Sequence, residues 1–487
     1  FLDLNKADST KLLFSNINTR LDDLNFNLNN FSTKIQETSF YADHQNVQVT
    51  GLEALCFFNS GRAEFQNLRL LTPYSQFTTD ILMRYSKNGL GNIYEDVFIE
   101  ADVQESFIGL QDVHFLVPKL TSTETIFMDQ LEFSGTPSQF SIDSFRLNYK
   151  KSNFWGSFNF NSSSSSKLTI QELSINPKDI ETLFPSLEKS SIDVLKRFEK
   201  TNLSGTLSSQ SASHKLNLLV ESRLGPLQFN FDFFQKGGQI NPFYEGQIRA
   251  SQFNIGKLLN QPDLGTTDAL LFAQGKGLQF DQLNTKLYGQ FSSLLFRENK
   301  LDTISLDIDL NRNRALGLVN ISDADVQLSV QGQFEAYDSI QEFSAIVEVN
   351  KLKLQSIQSS NSFGNRTLSG NFELIGQGTQ IDNFIGDINA ESIQIRSNNK
   401  LFSFKDFSIQ SRVNKDLRFF NIRSEDVING LIYGRFEFSD LDKMLKNSFG
   451  SYFSSYKPIK IDSSKFVNFN INFKDKLLKA LIDDIVI

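Results

Sequence analysis

Apolar side chains recur at every second position in short runs along almost the whole chain. Leu227, Phe229, Phe231 and Phe233 alternate with Gln228, Asn230 and Asp232, while Ile304, Leu306, Ile308 and Leu310 alternate with Ser305, Asp307 and Asp309. Side chains at i and i+2 share one face of a strand, so each run predicts a strand with one apolar and one polar face. Leu24-Phe26-Leu28, Phe145-Leu147-Tyr149, Val326-Leu328-Val330, Ile393-Ile395 and Phe469-Ile471-Phe473 follow the same period. Between the runs stand Lys236-Gly237-Gly238, Asn361-Ser362-Phe363-Gly364-Asn365, Ser397-Asn398-Asn399-Lys400 and Asn414-Lys415-Asp416, short polar turns that favour antiparallel neighbours. The serine run 162–166 reads as a loop tip.

The period changes to a helical one in three places. Asn176-Pro177 offers an N-cap followed by proline at the first helical position. Ile180, Leu183, Phe184 and Leu187 then share a face up to Pro185, and Ser191 starts a second piece with Ile192, Leu195 and Phe198. The second place, 254–264, is a strand running into a helical turn stopped by Pro262. In the third, 439–456, Ser439 is the expected cap and Leu441, Met444, Leu445, Phe449 and Tyr452 form the apolar stripe. The fold class predicted is therefore all-β with a few short helices. The chain has nine prolines and no linker rich in Pro or Gly, which argues for one continuous sheet over 1–487 built by repetition. At about 14 residues for a strand and its turn, the chain holds roughly 35 strands and about 150 Å of sheet, which must curl.

Composition narrows the chemistry. The net charge of −8 comes without a basic stripe, which argues against nucleic acid as a partner. A lone Cys56, in an apolar stretch, forms no internal disulfide and reads as a small buried hydrophobe. His44, His114 and His214 are scattered, so no metal site, cofactor or thiol and zinc chemistry is expected, and no phosphate loop, dinucleotide fingerprint or nucleophile elbow occurs. Asp307 with Asp309, and Asp323 with Asp325, alternate with apolar residues and read as a solvated strand face. A glycosidase pair among 56 acidic residues is left open by spacing alone. Trp155 reads as a packing residue. No catalytic residue is assigned, and the chain is not expected to be an enzyme. No run approaches the 18–20 apolar residues that span a bilayer. The start at Phe1 and the apolar stretch 481–487 read as ends cut from a longer polypeptide or a processed precursor.

Three stretches resemble the TamB/AsmA-like proteins of Gram-negative envelopes, in their Phe- and Asn-rich Bacteroidota-type form. They are AEFQNLRLLTPYSQFTTDILMRY (63–85), FNIGKLLNQPDLG (253–265) and FFNIRSEDVINGLIYGRFEFSDL (419–441). The family's membrane helix and its barrel-engaging C-terminal domain have no counterpart here, so the likeness is to the central region. The resemblance implies an elongated, curled sheet forming an open hydrophobic groove, a β-taco. It further implies a periplasmic conduit, held to the inner membrane by an anchor outside this chain, that moves phospholipid to the outer membrane in outer-membrane biogenesis. The partners it implies are phospholipid acyl chains and an outer-membrane BamA/TamA-like barrel protein. On this reading the groove lining comprises Leu227, Phe229, Phe231, Phe233, Ile304, Leu306, Ile308, Leu310, Phe436, Phe438, Phe469, Ile471 and Phe473. The family also admits an assembly factor for outer-membrane barrels or surface proteins, with sheet edges templating incoming strands. An extracellular β-solenoid scaffold is the third alternative.

Overall fold

The alternating runs form strands whose backbone groups are satisfied by the next strand in sequence. A computed structural model describes all residues except 1–13, 28, 43–46, 87–92, 114–121, 164, 186, 188, 235–241, 278–281, 298, 338–339, 358–364, 379, 381, 398–399, 454–455, 475 and 477–487. His44, His114, Leu28, the stretch 481–487 and the expected turns at 236–238, 361–364 and 398–399 lie outside the described residues. Two compact units divide the chain, Phe1–Gln239 and Ile240–Ile487.

The first unit contains β1 (Phe14–Asn27), β2 (Asn30–Ala42), β3 (Val47–Asn59), β4 (Arg62–Leu71), β5 (Gln76–Tyr85), β6 (Val97–Gly109), β7 (Thr125–Thr136), β8 (Gln139–Tyr149), β9 (Ser152–Asn161), β10 (Ser165–Ile175), β11 (Thr201–Gln210), β12 (Ser213–Glu221) and β13 (Leu227–Phe234). Each pairs antiparallel with its successor. A short helix α1 (Ile93–Asp96) precedes β6, and α2 (Pro177–Leu183) and α3 (Lys189–Phe198) separate β10 from β11. Asn176 caps α2 as its sequence position predicts, accepting the Lys178 N–H at 3.1 Å with Pro177 following.

The second unit contains β14 (Phe243–Asn254), β15 (Leu264–Lys276), β16 (Asn284–Phe296), β17 (Asn299–Leu301), β18 (Ile304–Asn311), β19 (Arg314–Ser322), β20 (Val326–Tyr337), β21 (Ile340–Lys353), β22 (Thr367–Gln377), β23 (Ile385–Ser397), β24 (Lys400–Phe404), β25 (Phe407–Asn414), β26 (Leu417–Ser424), β27 (Ile428–Arg435) and β28 (Phe466–Phe473). It is an antiparallel ladder of the same kind, in which β17 with β18 and β24 with β25 are halves of interrupted strands on β16 and β23. Helix α4 (Ile255–Leu259) follows β14, and α5 (Phe438–Gly450) lies between β27 and β28. Asn260 ends α4 in the left-handed region (φ 56°), two residues before the proline expected to stop it. The cap expected of Ser439 is absent. α5 starts one residue earlier, and the Phe438 N–H donates instead to Asp382 Oδ1 at 2.6 Å.

The architecture is thus all-β and antiparallel, with 28 strands among the described residues rather than about 35. The shortfall arises because helices and longer connections, such as 176–200 and 436–465, take up chain that the count assigned to strands, although many neighbouring strands join through two-residue turns. Lys150, Ser211, Arg312 and Lys415 open such turns with φ of 49°, 51°, 51° and 56°, the geometry that matches strand twist in a tight hairpin.

Strands this long bend where a residue is bulged out of register. In the first unit the shifts fall between Ile35 and Thr38, Phe65 and Leu68, and Ile170 and Leu173. In the second they fall between Ala250 and Phe253, Val349 and Leu352, and Ser369 and Asn371. Register partners connect these breaks from strand to strand, so within each unit the bends add into one crease across the ladder. Carboxylates answer the amides freed there. Asp80 accepts the Asn67 N–H at 2.6 Å, and Asp268 accepts the Gln252 N–H at 2.8 Å and Ser293 Oγ at 2.9 Å. Asp323 accepts the N–H groups of Asp325 and Asp302 at 2.8 and 3.2 Å. Asp323 and Asp325 therefore belong to the connection between β19 and β20, not to the solvated strand face the sequence suggested.

The dry core sits in the crease. Ala54, Cys56 and Leu68 are buried together in the first unit; Leu301, Ile304 and Val326, and separately Ile395, Phe404 and Val427, are buried in the second. Burial pushes the Cys56 thiol up to about 11, as expected of a cysteine acting as a hydrophobe.

Candidate functional site

Beside the crease, register aligns the period-two runs into continuous apolar rows. In the first unit, Phe231, Leu216, Leu207, Leu168, Phe158, Ile142, Phe133, Ala101, Ile81, Phe65 and Cys56 are successive cross-strand partners from β13 back to β3. Only Cys56 of these is buried, and Leu207 is 40% exposed. In the second unit, Ile248, Leu271, Gly289, Leu306, Val319, Val330, Val347, Phe372, Ala390 and Phe407 make a row, of which only Ala390 is buried. A neighbouring row runs through Ala273, Leu287, Ile308, Gly317, Gly332, Ala345, Leu374, Ile388, Ile409, Ile422, Gly430 and Ile471. A closed sandwich buries such positions almost fully. Here nearly all remain half-covered.

Phenyl rings tile this face. Phe31 and Phe58 stack at 5.8 Å, Phe58 meets Phe65 at 5.6 Å, Phe140 meets Phe160 at 5.2 Å, and Phe231 stacks on Phe233 at 6.1 Å. Glycines on this face stand where neighbouring strands approach closely. A Cβ at Gly156 would lie 2.6 Å from Phe145 Cζ, and Gly205 combines a φ of +148° with a would-be Cβ 2.1 Å from the Asn217 carbonyl oxygen.

The opposite face is wet. Asn230, Asn217, Thr206, Thr169 and Ser157 are register partners behind the first row. Surface ion pairs decorate it, including Arg84–Glu100 and Arg412–Asp387 at 2.8 Å and Lys286–Asp307 at 3.0 Å. Asp307 and Asp309 are both exposed there, as their alternation predicts. Trp155 is also on this side, 40% exposed under the Arg146 guanidinium at 5.4 Å, and not in the packed interior.

The thirteen residues singled out as lining separate into three environments. Leu227, Ile304 and Phe436 are buried, Ile304 within the crease core and Phe436 against Phe420 and Phe438. Phe229, Phe231, Phe233, Leu306, Ile308, Leu310, Phe438 and Ile471 are half-buried, and Phe469 and Phe473 are exposed. Phe436 and Phe438 lie beyond the end of β27, so they form an aromatic junction into α5 rather than a strand strip. Sequence reasoning missed the glycine and alanine members of the rows. Their signal was present, as small residues at the apolar phase of an otherwise alternating run.

No cluster of three or more His, Cys, Asp or Glu suited to a metal occurs among the described residues, and none of their helices is long and apolar enough to cross a membrane. Searches against protein-family models, curated proteins and solved structures return no match.

Proposed function

We propose that each unit lends its apolar face to lipid acyl chains, and that the chain is the groove segment of a conduit moving phospholipid between membranes. The observation that carries this reading is the set of strand-crossing rows that stay half-covered while the crease beside them is dry. An acyl chain gains about 0.8 kcal/mol per methylene on full burial, and contact on one side retains about half of that. A repeated, shallow surface of this kind suits sliding better than capture. The resemblance to TamB/AsmA-like proteins supports placing the conduit in a Gram-negative envelope, between inner and outer membranes.

The direct test is native mass spectrometry of the purified chain, combined with photo-crosslinking from positions 231 and 308. Co-purified phospholipid and acyl adducts at both positions are the expected result. A lipid-free protein, or adducts to nascent barrel strands alone, would overturn the conduit in favour of a scaffold or an assembly factor.

A further inference from the structure

The C-terminal end of helix α5 presents aromatic residues to solvent. Phe449, Tyr452 and Phe453, at its C-terminal end and just beyond, are 70%, 86% and 69% exposed. The following segment folds back beside them: Asn447 Oδ1 accepts the Tyr456 hydroxyl at 2.9 Å and the Ile459 N–H at 2.7 Å, and Asn447 Nδ2 donates to the Ile459 carbonyl at 2.8 Å. The Tyr456 ring also lies where a Cβ on Gly450 would stand, 2.4 Å from Tyr456 Cδ1. Exposed Lys457 and Lys460 directly follow Tyr456 and Ile459 in the chain, so the staple ties both to the C-terminal end of α5. In a chain of net charge −8, the stretch 443–460 holds four lysines and no acidic residue. Lys446 is spoken for by Asp442 at 2.7 Å, whereas Lys457 and Lys460 have no ion-pair partner among the described residues.

We propose that this stapled aromatic–lysine patch docks on the surface of a bilayer containing anionic lipid. Phe and Tyr rings at the headgroup level bury apolar area without a spanning segment, and flanking lysines keep their ammonium groups in water against anionic phosphates. Charge complementarity selects a lipid surface as occupant, because an apolar protein groove would leave both lysines unanswered. The inference stands on the patch alone and does not require the rows to carry acyl chains.

The test is flotation of the purified chain with phosphatidylcholine vesicles, with and without about 30% phosphatidylglycerol. It is run in a background carrying Phe231→Asp and Ile308→Asp, one charge in a row of each unit, so that lipid uptake by the rows is suppressed. Expected is binding to the anionic vesicles that falls steeply at about 0.5 M salt. Replacing Phe449, Tyr452 and Phe453 together by Ser should weaken it about tenfold or more, and Lys457→Gln with Lys460→Gln should remove the preference for anionic lipid. Circular dichroism and the unfolding midpoint confirm that the variants fold. No flotation with anionic vesicles, or equal flotation of the triple variant, overturns the proposal. Undiminished lipid transfer by the Phe231→Asp protein with flotation retained would count against the conduit and leave the docking patch standing.

Discussion

Phe231→Asp puts a carboxylate at the β13 end of the apolar row traced through the first unit, opposite Leu216 and beside the Phe233 ring at 6.1 Å. Phe231 is half-buried, so losing its packing costs about half of the ~1.5–3 kcal/mol of a fully buried phenyl, or about 0.8–1.5 kcal/mol. A domain stable by ~5–15 kcal/mol survives that. For an acyl chain the change is larger. One-sided contact with three or four methylenes is lost, about 1.5 kcal/mol, and the chain must displace water from a charged oxygen, about 2 kcal/mol more. A barrier raised by ~3–4 kcal/mol slows passage roughly 100- to 1000-fold. The assay is transfer of fluorescent phospholipid between donor and acceptor vesicles, with thermal unfolding measured on the same preparation. Asn230→Asp supplies the control, because it adds the same charge one residue away on the polar face, opposite Asn217, and should leave transfer unchanged. Wild-type transfer by folded Phe231→Asp would refute the reasoning, as would equal inhibition by Asn230→Asp.

Further outcomes follow from the crease and the rows. Asp268→Ala removes the acceptor for Gln252 and Ser293 and should lower stability by about 2–3 kcal/mol, read as a lower urea midpoint with fluorescence probes placed after residue 240. The Gln252 backbone N–H first, and then Ser293, hold the Asp268 carboxyl below its ordinary 3.8. Burial pushes Asp323 up, but the N–H groups of Asp325, Asp302, Val326 and Ala324 outweigh it and leave that carboxyl low as well. Because both folded values are depressed, their stabilisation is complete above the unfolded value near 3.8 and is lost as pH falls through the folded values. Urea midpoints should therefore be flat from about pH 7 to 5 and decline below about 4; midpoints that fall on raising the pH instead would contradict the assigned hydrogen bonds. Gly205→Ala forces a Cβ to within 2.1 Å of the Asn217 carbonyl at a φ of +148° and should cost more than about 2 kcal/mol, visible in the unfolding midpoint. Cys56, buried with its thiol raised to about 11, should resist aromatic disulfide reagents near pH 8 until denaturant is added, and rapid labelling of the native chain would place it outside the crease core.

Local period carries most of the fold here, because a half-buried antiparallel strand states its own face. Phe145-Leu147-Tyr149 and Phe469-Ile471-Phe473 lie in strands as read, and Asn176-Pro177 opens a helix as read. What the period does not contain is the level at which strands bend. Asn67, Gln252 and Ser392 adopt φ of 48°, 48° and 56° without being glycine, and the carboxylates that hold Asn67 and Gln252 there, Asp80 and Asp268, come from the next strand. The same gap explains the candidate lining. Ile304 has the period of its neighbours Leu306 and Ile308, yet it is buried because it abuts the crease, a fact set by the break at Thr303 and by its partners Phe291 and Ile321. The start of α5 was misplaced for a related reason, since its first amide is satisfied by Asp382, more than fifty residues away in sequence.

Every described pairing within each unit joins a strand to one beside it in the chain or one short interruption away. Such a ladder closes only small loops as it grows, so its contact order is low for an all-β protein and its loop-closure entropy is paid in small instalments. Each new hairpin meets a finished edge and extends the same rows by two positions. Strand number can then change by whole hairpins, in evolution or by design, while the cross-section offered by the rows stays the same.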